Sequence, residues 1–328
     1  MQLVFLLEQV VNGLVLGGYY LLLALGLSLI FSVGGIVNLA HGAFYALGAY
    51  LALEISNRLG FAASVAFAPA LVGLLGIAFE RLLLRRFYSA DPILSLLVTF
   101  GLAMVAEQTL RMIWGAAPLA YGMPPAFKGN LIVGDFLFSR YRLFLLAVVI
   151  VVMTALWLLL HKTSFGRVVR AGVQRPDMVA ALGIRLQPYM TAIVVLGVAT
   201  AALGGVLFGP IAVVHPAMGT EIMTVAFVVV VIGGLGSIRG AFYGALIVGI
   251  TDTMLRAFLP SFFKTFMAAS EADALGAGVS SMGIYLVMAL VLLIRPRRGR
   301  VARERRLGVQ SVCPDRVPPM RHVALNQL

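Results

Sequence analysis

The sequence predicts an all-α fold, a polytopic transmembrane bundle of about 8–9 helical segments, some broken or re-entrant, with a short helix in a loop on the cytoplasmic side. Three observations carry that expectation. Hydrophobic residues make up 61% of the 328 and charged residues only 12%, against roughly 45–50% and 25% in soluble domains. Mean hydropathy is +1.00, and runs such as LFLLAVVIVVMTALWLLL recur. About 20 apolar residues suffice to cross a hydrocarbon core about 30 Å thick. The basic residues, finally, gather in a few clusters between those runs. A core-and-surface globule is excluded.

Taken in order, the candidate spans are 12–33, 36–56, 62–79, 93–113, 143–161, 188–214, a split region 222–256, and 279–294. No alternating barrel pattern occurs, and backbone polar groups cannot stay unpaired in lipid, so the spans are helices. The opening MQLVFLLEQVVNG lacks a basic start and carries Glu8, so it is read as mature protein, not as a cleaved signal. Gly13/Gly17, Gly205/Gly209 and Gly240/Gly244 have the small-xxx-small spacing that lets helices approach, although membrane helices are glycine-rich in general.

Basic residues orient the bundle. Arg81, Arg85 and Arg86 fall between the third and fourth spans. Lys162, Arg167, Arg170, Arg175 and Arg185 fall between the fifth and sixth, and nine arginines stand from Arg295 onward. These 17 of the 25 basic residues are placed on the cytoplasmic side. The net charge of +12 is thus topology and calls for no nucleic-acid partner, while the basic tail can touch anionic membrane lipid. If 222–256 crossed once, the tail would finish outside. The region is therefore expected to enter and return, turning at GGLGSIRG (233–240), with arms short for a full span. Irregular backbone at that depth must be buried in protein or line a wet cavity. Gly233, Gly234, Gly236 and Ser237 become translocation-pathway candidates. So do Asn38, His41 and Gly42 of GGIVNLAHGAF, where Asn38 and His41 would share a helical face and either line a pore or clamp helices by a hydrogen bond. The domains are a transmembrane unit, 1–296, with a cytoplasmic loop 162–187, and a basic tail, 297–328, expected to be disordered.

Several chemistries find no residues. The lysines at 128, 162 and 264 follow Phe127, His161 and Phe263, so no phosphate-cradling P-loop exists. The four histidines have no metal-ligand spacing, and the single Cys313 supports neither a disulfide nor a metal site. Glu54, Glu107 and Asp252 fall near predicted span ends, whereas a proton- or sodium-driven carrier would hold carboxylates mid-span.

Within the loop, RPDMVAALGI has a start and a stop. Pro176 and Asp177 suit a helix beginning, and Gly183 the position after the last turn. Between them Met178, Ala181 and Leu182, at i, i+3 and i+4, form one small apolar face, and Arg170 and Arg175 flank it. Such an element either docks into another protein's groove or rests on lipid headgroups.

Three blocks in order carry a family resemblance. The first holds Asn12, Gly13, Leu16, Gly17, Tyr20, Ala24 and Gly26, then Asn38, Ala40, His41 and Gly42. The second holds Gly166, Arg167, Arg170, Ala171, Ala180, Gly183 and Ile184. The third is IGGLGSIRGAFYGA (232–245). Together they resemble the permease subunits of Liv-type branched-chain amino-acid ABC importers. The tail is longer than that family's, and Ala43 stands where an acid often follows A-H-G. The resemblance implies a multi-pass inner-membrane subunit, not itself an enzyme, that pairs with a second homologous permease. Two ATP-binding subunits, which would carry ATP and Mg, bind below, and a periplasmic substrate-binding protein delivers cargo from above. It assigns ATPase coupling to Gly166, Arg167, Arg170, Asp177, Met178, Ala181, Leu182 and Gly183. Urea or short-amide importers have similar permeases, and a self-sufficient secondary carrier is the rival of another class.

Overall fold

The computed structural model describes residues 2–88, 91–133 and 136–294. The expected tail, 297–328, lies outside the described residues. The chain divides into two units, 1–288 and 289–328, and of the second only the end of one helix is described. Gln2–Gly34 (α1) leads through a non-helical stretch, 35–40, that ends in a turn, to His41–Leu59 (α2). Phe61–Phe79 (α3) runs on through a π-helical stretch, Glu80–Leu84, into Arg85–Phe87 (α4). Pro92–Trp114 (α5) and Arg140–Lys162 (α6) flank a loop with the antiparallel hairpin Asn130–Val133 (β1) and Phe136–Ser139 (β2). Ser164–Gln174 (α7) and Pro176–Ala181 (α8) are short. Gln187–Phe208 (α9), Met218–Gly233 (α10), Ile238–Phe263 (α11) and Ala269–Ile294 (α12) complete the described chain.

Side chains supply the helix starts. Asp91 accepts the Ile93 amide at 2.9 Å before α5, Thr163 accepts the Gly166 amide at 3.2 Å before α7, and Ser237 accepts the Gly240 amide at 3.0 Å before α11. Among the described residues, 7 helices are long and apolar enough to cross a membrane: α1, α3, α5, α6, α9, α11 and α12. α10 has 16 residues, a rise of about 24 Å, which falls short of a core about 30 Å thick.

The centre is α9, packed on α1, α2 and α3, with α11 along the far side of α1. Small residues set these approaches, as the glycine spacing suggests. A Cβ on Gly13 would lie 2.8 Å from Ile250 Cα, and one on Gly17 2.9 Å from the Ala245 oxygen, so the pair receives α11. A Cβ on Gly26 would lie 2.5 Å from the Gly197 oxygen, and one on Gly244 2.6 Å from the Val229 oxygen. Gly205 lies against the Tyr45 carbonyl, while Gly209 faces the Tyr121 ring. With little hydrophobic drive between helices in lipid, such close packing is a main source of association.

These contacts sort the loops into two ends. At one end Gly34 meets Tyr88 and Gly236 meets Ser32. Val169 of α7 packs there with Leu29, Leu160 and Ile193. At the other end Leu119 pairs with Val214, Ser64 bonds Tyr121 at 3.1 Å, and Tyr141 donates to the Leu207 carbonyl at 2.6 Å. The two described basic clusters, 81–86 and 162–185, thus share one end.

Two boundaries differ from the sequence reading. α2 begins at His41, not at 36, because 36–38 form no regular structure and 39–40 are a turn. α11 reaches Phe263 and, at 26 residues, rises about 39 Å, so the second arm of the split region is a full-length helix. Past the expected end at 256, Arg256 donates to Asp252 at 2.6 Å one turn back and the helix continues. Asp252 is consequently mid-helix and buried, and it also accepts the Tyr20 hydroxyl at 3.0 Å. The carboxylate expected near a span end is a structural acid inside the bundle.

Candidate functional site

The first group of candidate residues surrounds the break before α2. His41 and Asn38 are completely buried. His41 Nε2 lies 3.1 Å from the Leu23 carbonyl oxygen, which can only accept, so Nε2 carries the proton. Leu23 precedes the end of α1 at Gly34 by three turns, so α2 starts roughly 16 Å inside that end of the bundle at 1.5 Å per residue. The stretch 35–40 therefore runs back at membrane depth, where its amides need partners. The Ala40 amide donates to Asn38 Oδ1 at 3.1 Å, and the Leu39 amide to Thr99 Oγ1 of α5 at 3.2 Å. Gly42 lies against the backbone of Gly219, so the first turns of α2 and α10 meet with no side chain between them.

Beside this junction α2, α5 and α10 enclose a cavity of about 300 Å³. Leu39, Ala43 and Ala46 line it from α2 and the segment before it, Met104 and Glu107 from α5, and Gly219, Thr220 and Met223 from α10. Asn38 and His41 stand behind that wall, not in it. Glu107 accepts from Arg111 at 2.7 Å and from Thr220 at 3.0 Å, tying α5 to α10 at the mostly apolar surface.

The second group lies elsewhere. Gly233, Gly234, Gly236 and Ser237 form the turn between α10 and α11. Gly234 and Gly236 have φ of +94° and +78°, a conformation that glycine adopts without strain. From Gly219 to Gly233 α10 rises about 21 Å, so the turn and the α2 break are at different depths.

The third group forms one element. α7 is amphipathic, with Gly166 and Val169 buried and Arg167 and Arg170 exposed. Gly166 sits against the Leu160 carbonyl, which lets α7 fold sharply back from α6. α8 begins at Pro176 with Asp177 in its first turn, and Gly183 follows its end at φ +77°. Val179 alone roots α8, at 4% exposure, whereas Met178 and Leu182 are 57% and 76% exposed and Ala181 is exposed as well.

Sequence reasoning missed two features. Thr99 is one polar residue in an apolar helix, and its partner is 60 positions away. Glu80 was passed over as part of a basic loop. It is buried in the π-helical stretch, bonds Arg85 at 3.1 Å, and accepts from Thr191 at 2.8 Å. A wider turn follows where the acid is drawn inward, and π-bulges of this kind are frequent at functional sites.

Comparison with known proteins bears on these groups together. The family model described as branched-chain amino acid transport system / permease component matches residues 9–294. The permease protein LivH of the high-affinity branched-chain amino acid transport system of Escherichia coli is 28% identical over 90% of this chain and 95% of its own. The corresponding BraD of Pseudomonas aeruginosa is 27% identical over 88% and 94%. A probable LivH of Methanocaldococcus jannaschii is 27% identical over 87% and 89%. With a broken, glycine-packed bundle and a match across nearly all of its described length, the chain belongs to the branched-chain amino acid transport permease family.

Proposed function

We propose that this chain is the membrane-spanning permease of an ATP-binding cassette importer that moves branched-chain amino acids across the inner membrane. Two separate ATPase subunits bind ATP and Mg and energise it. A second homologous permease completes the path, and a periplasmic binding protein supplies the substrate. The end carrying α7 and α8 is cytoplasmic, and so is the tail.

The observation that carries this reading is the exposed apolar face Met178, Ala181 and Leu182 on a short helix rooted by one buried residue. Such a helix fits the groove of a partner. Behind it Val169 packs on Leu29, Ile193 and Leu160, with Ile238 against the same cluster. A push on α7 and α8 therefore reaches α1, α6, α9 and the start of α11 by direct contact. The glycine turn 233–237 is the adjacent hinge. Asn38, His41 and Thr99 hold the break before α2, and Gly42 on Gly219 lets α2 and α10 move together beside the cavity.

Gentle extraction from the native membrane, with co-purifying proteins identified by mass spectrometry, tests this. Recovery with an ATPase and a second permease, and ATP hydrolysis stimulated by leucine, isoleucine or valine through the binding protein, is expected. Transport by the chain alone after ATP depletion would overturn it.

A further inference from the structure

A second cavity, of about 680 Å³, opens at the end of the bundle that carries α7. Its deep wall is apolar, with Ile77 of α3, Leu159 of α6 and Val195 and Leu196 of α9. Its rim holds three arginines, Arg81, Arg85 and Arg185. The chemistry is divided by depth. The apolar residues lie within helices long enough to cross a membrane, whereas Arg81 stands in the last two turns of the span Phe61–Phe87 and Arg185 just before α9.

The charges are not spent on one another's partners. Glu80 is taken up by Arg85, Thr191 and, at 3.5 Å, the Tyr88 hydroxyl. Arg81 and Arg185 are exposed and make no ion pair among the described residues. The π-helical stretch explains the division, since it turns Glu80 inward and leaves Arg81 outward on the rim. From this geometry we infer that the groove between α3, α6 and α9 is a binding site for an anionic phospholipid. The phosphate sits between Arg81 and Arg185, and an acyl chain lies along Ile77, Leu159 and Leu196. Basic pockets between membrane helices recognise anionic headgroups in this way. Phe165 of α7, stacked on Tyr189 at 5.7 Å, forms part of the same wall, so the lipid would touch the α7 element directly. The site stands whether or not the transport reading holds.

Native mass spectrometry of the purified full chain, titrated with phosphatidylglycerol or phosphatidylcholine of equal chain length, measures it. Preferential retention of phosphatidylglycerol is expected. Arg81→Gln with Arg185→Gln should weaken that retention roughly thirtyfold, at about 1 kcal/mol per arginine. Leu159→Trp, which fills the groove and keeps the charges, should weaken retention of both lipids. Arg142→Gln, at the opposite end, should change neither. Equal retention of the two lipids, or an unchanged double variant, would overturn the site. Displacement of the lipid by millimolar inorganic phosphate would show a free-anion site instead. Loss of a co-purifying ATPase from the double variant, with lipid retention intact, would assign the arginines to a protein partner and refute the lipid.

Discussion

Replacing Thr99 by Val tests the physical basis of the break before α2. The side chain is 2% exposed, and its oxygen accepts the Leu39 amide at 3.2 Å while its own hydrogen has the carbonyls of Ser95 (2.9 Å), Leu96 (3.1 Å) and Val37 (3.3 Å) in reach. Valine has the same shape, so the exchange removes the acceptor without opening a cavity. The Leu39 amide then loses its partner at a part-buried site, a cost of about 1–3 kcal/mol. The methyl group that replaces the hydroxyl returns part of this, up to ~0.8 kcal/mol. A net loss of about 1–2 kcal/mol should lower the melting temperature by roughly 1.5–3 °C in a chain of this size. Thermal unfolding of the detergent-purified protein, followed by fluorescence, reads the shift. Thr99→Ser keeps the acceptor and should lose less. A Thr99→Val protein as stable as the parent, or a Ser variant that falls as far as Val, would refute the clamp.

Three further outcomes are expected. Gly42→Val places a side chain against the Gly219 backbone, and overpacking of at least about 3 kcal/mol should abolish recovery of folded protein, which size-exclusion chromatography would show. Leu182→Asp or Ala181→Arg, at exposed sites, should change stability by less than about 0.5 kcal/mol yet abolish uptake in intact cells; normal uptake would remove the coupling role from α8. In a Cys313→Ser background, a cysteine at Leu275 should react with an impermeant maleimide from outside and one at Val173 should not. The reverse pattern would invert the topology.

What the sequence made legible was whatever local periodicity or spacing encodes. Apolar runs revealed the long helices, and Gly13/Gly17 and Gly240/Gly244 marked close crossings because only glycine leaves that room. Pro176 and Gly183 bounded α8 because each fixes or frees a backbone angle. The start of α2 was hidden, since four of the five residues from Ile36 to Ala40 are apolar and only packing of Gly42 on Gly219 and Thr99 on Leu39 keeps the stretch out of a helix. Glu80 was passed over and Asp252 misplaced for the same reason. Their partners, Thr191 and Tyr20, are 111 and 232 positions away, and no window of sequence contains both. The cavity beside α2 likewise needs three helices that are neighbours only after folding.

The most direct measurement is uptake of labelled leucine into proteoliposomes that hold the permease pair and its ATPases, with the binding protein outside and ATP inside or absent. Accumulation that requires ATP, and that Leu182→Asp abolishes while the subunits stay assembled, is the expected result. Accumulation without ATP, or through this chain alone, would contradict the assignment of α7 and α8 as the link to an external motor.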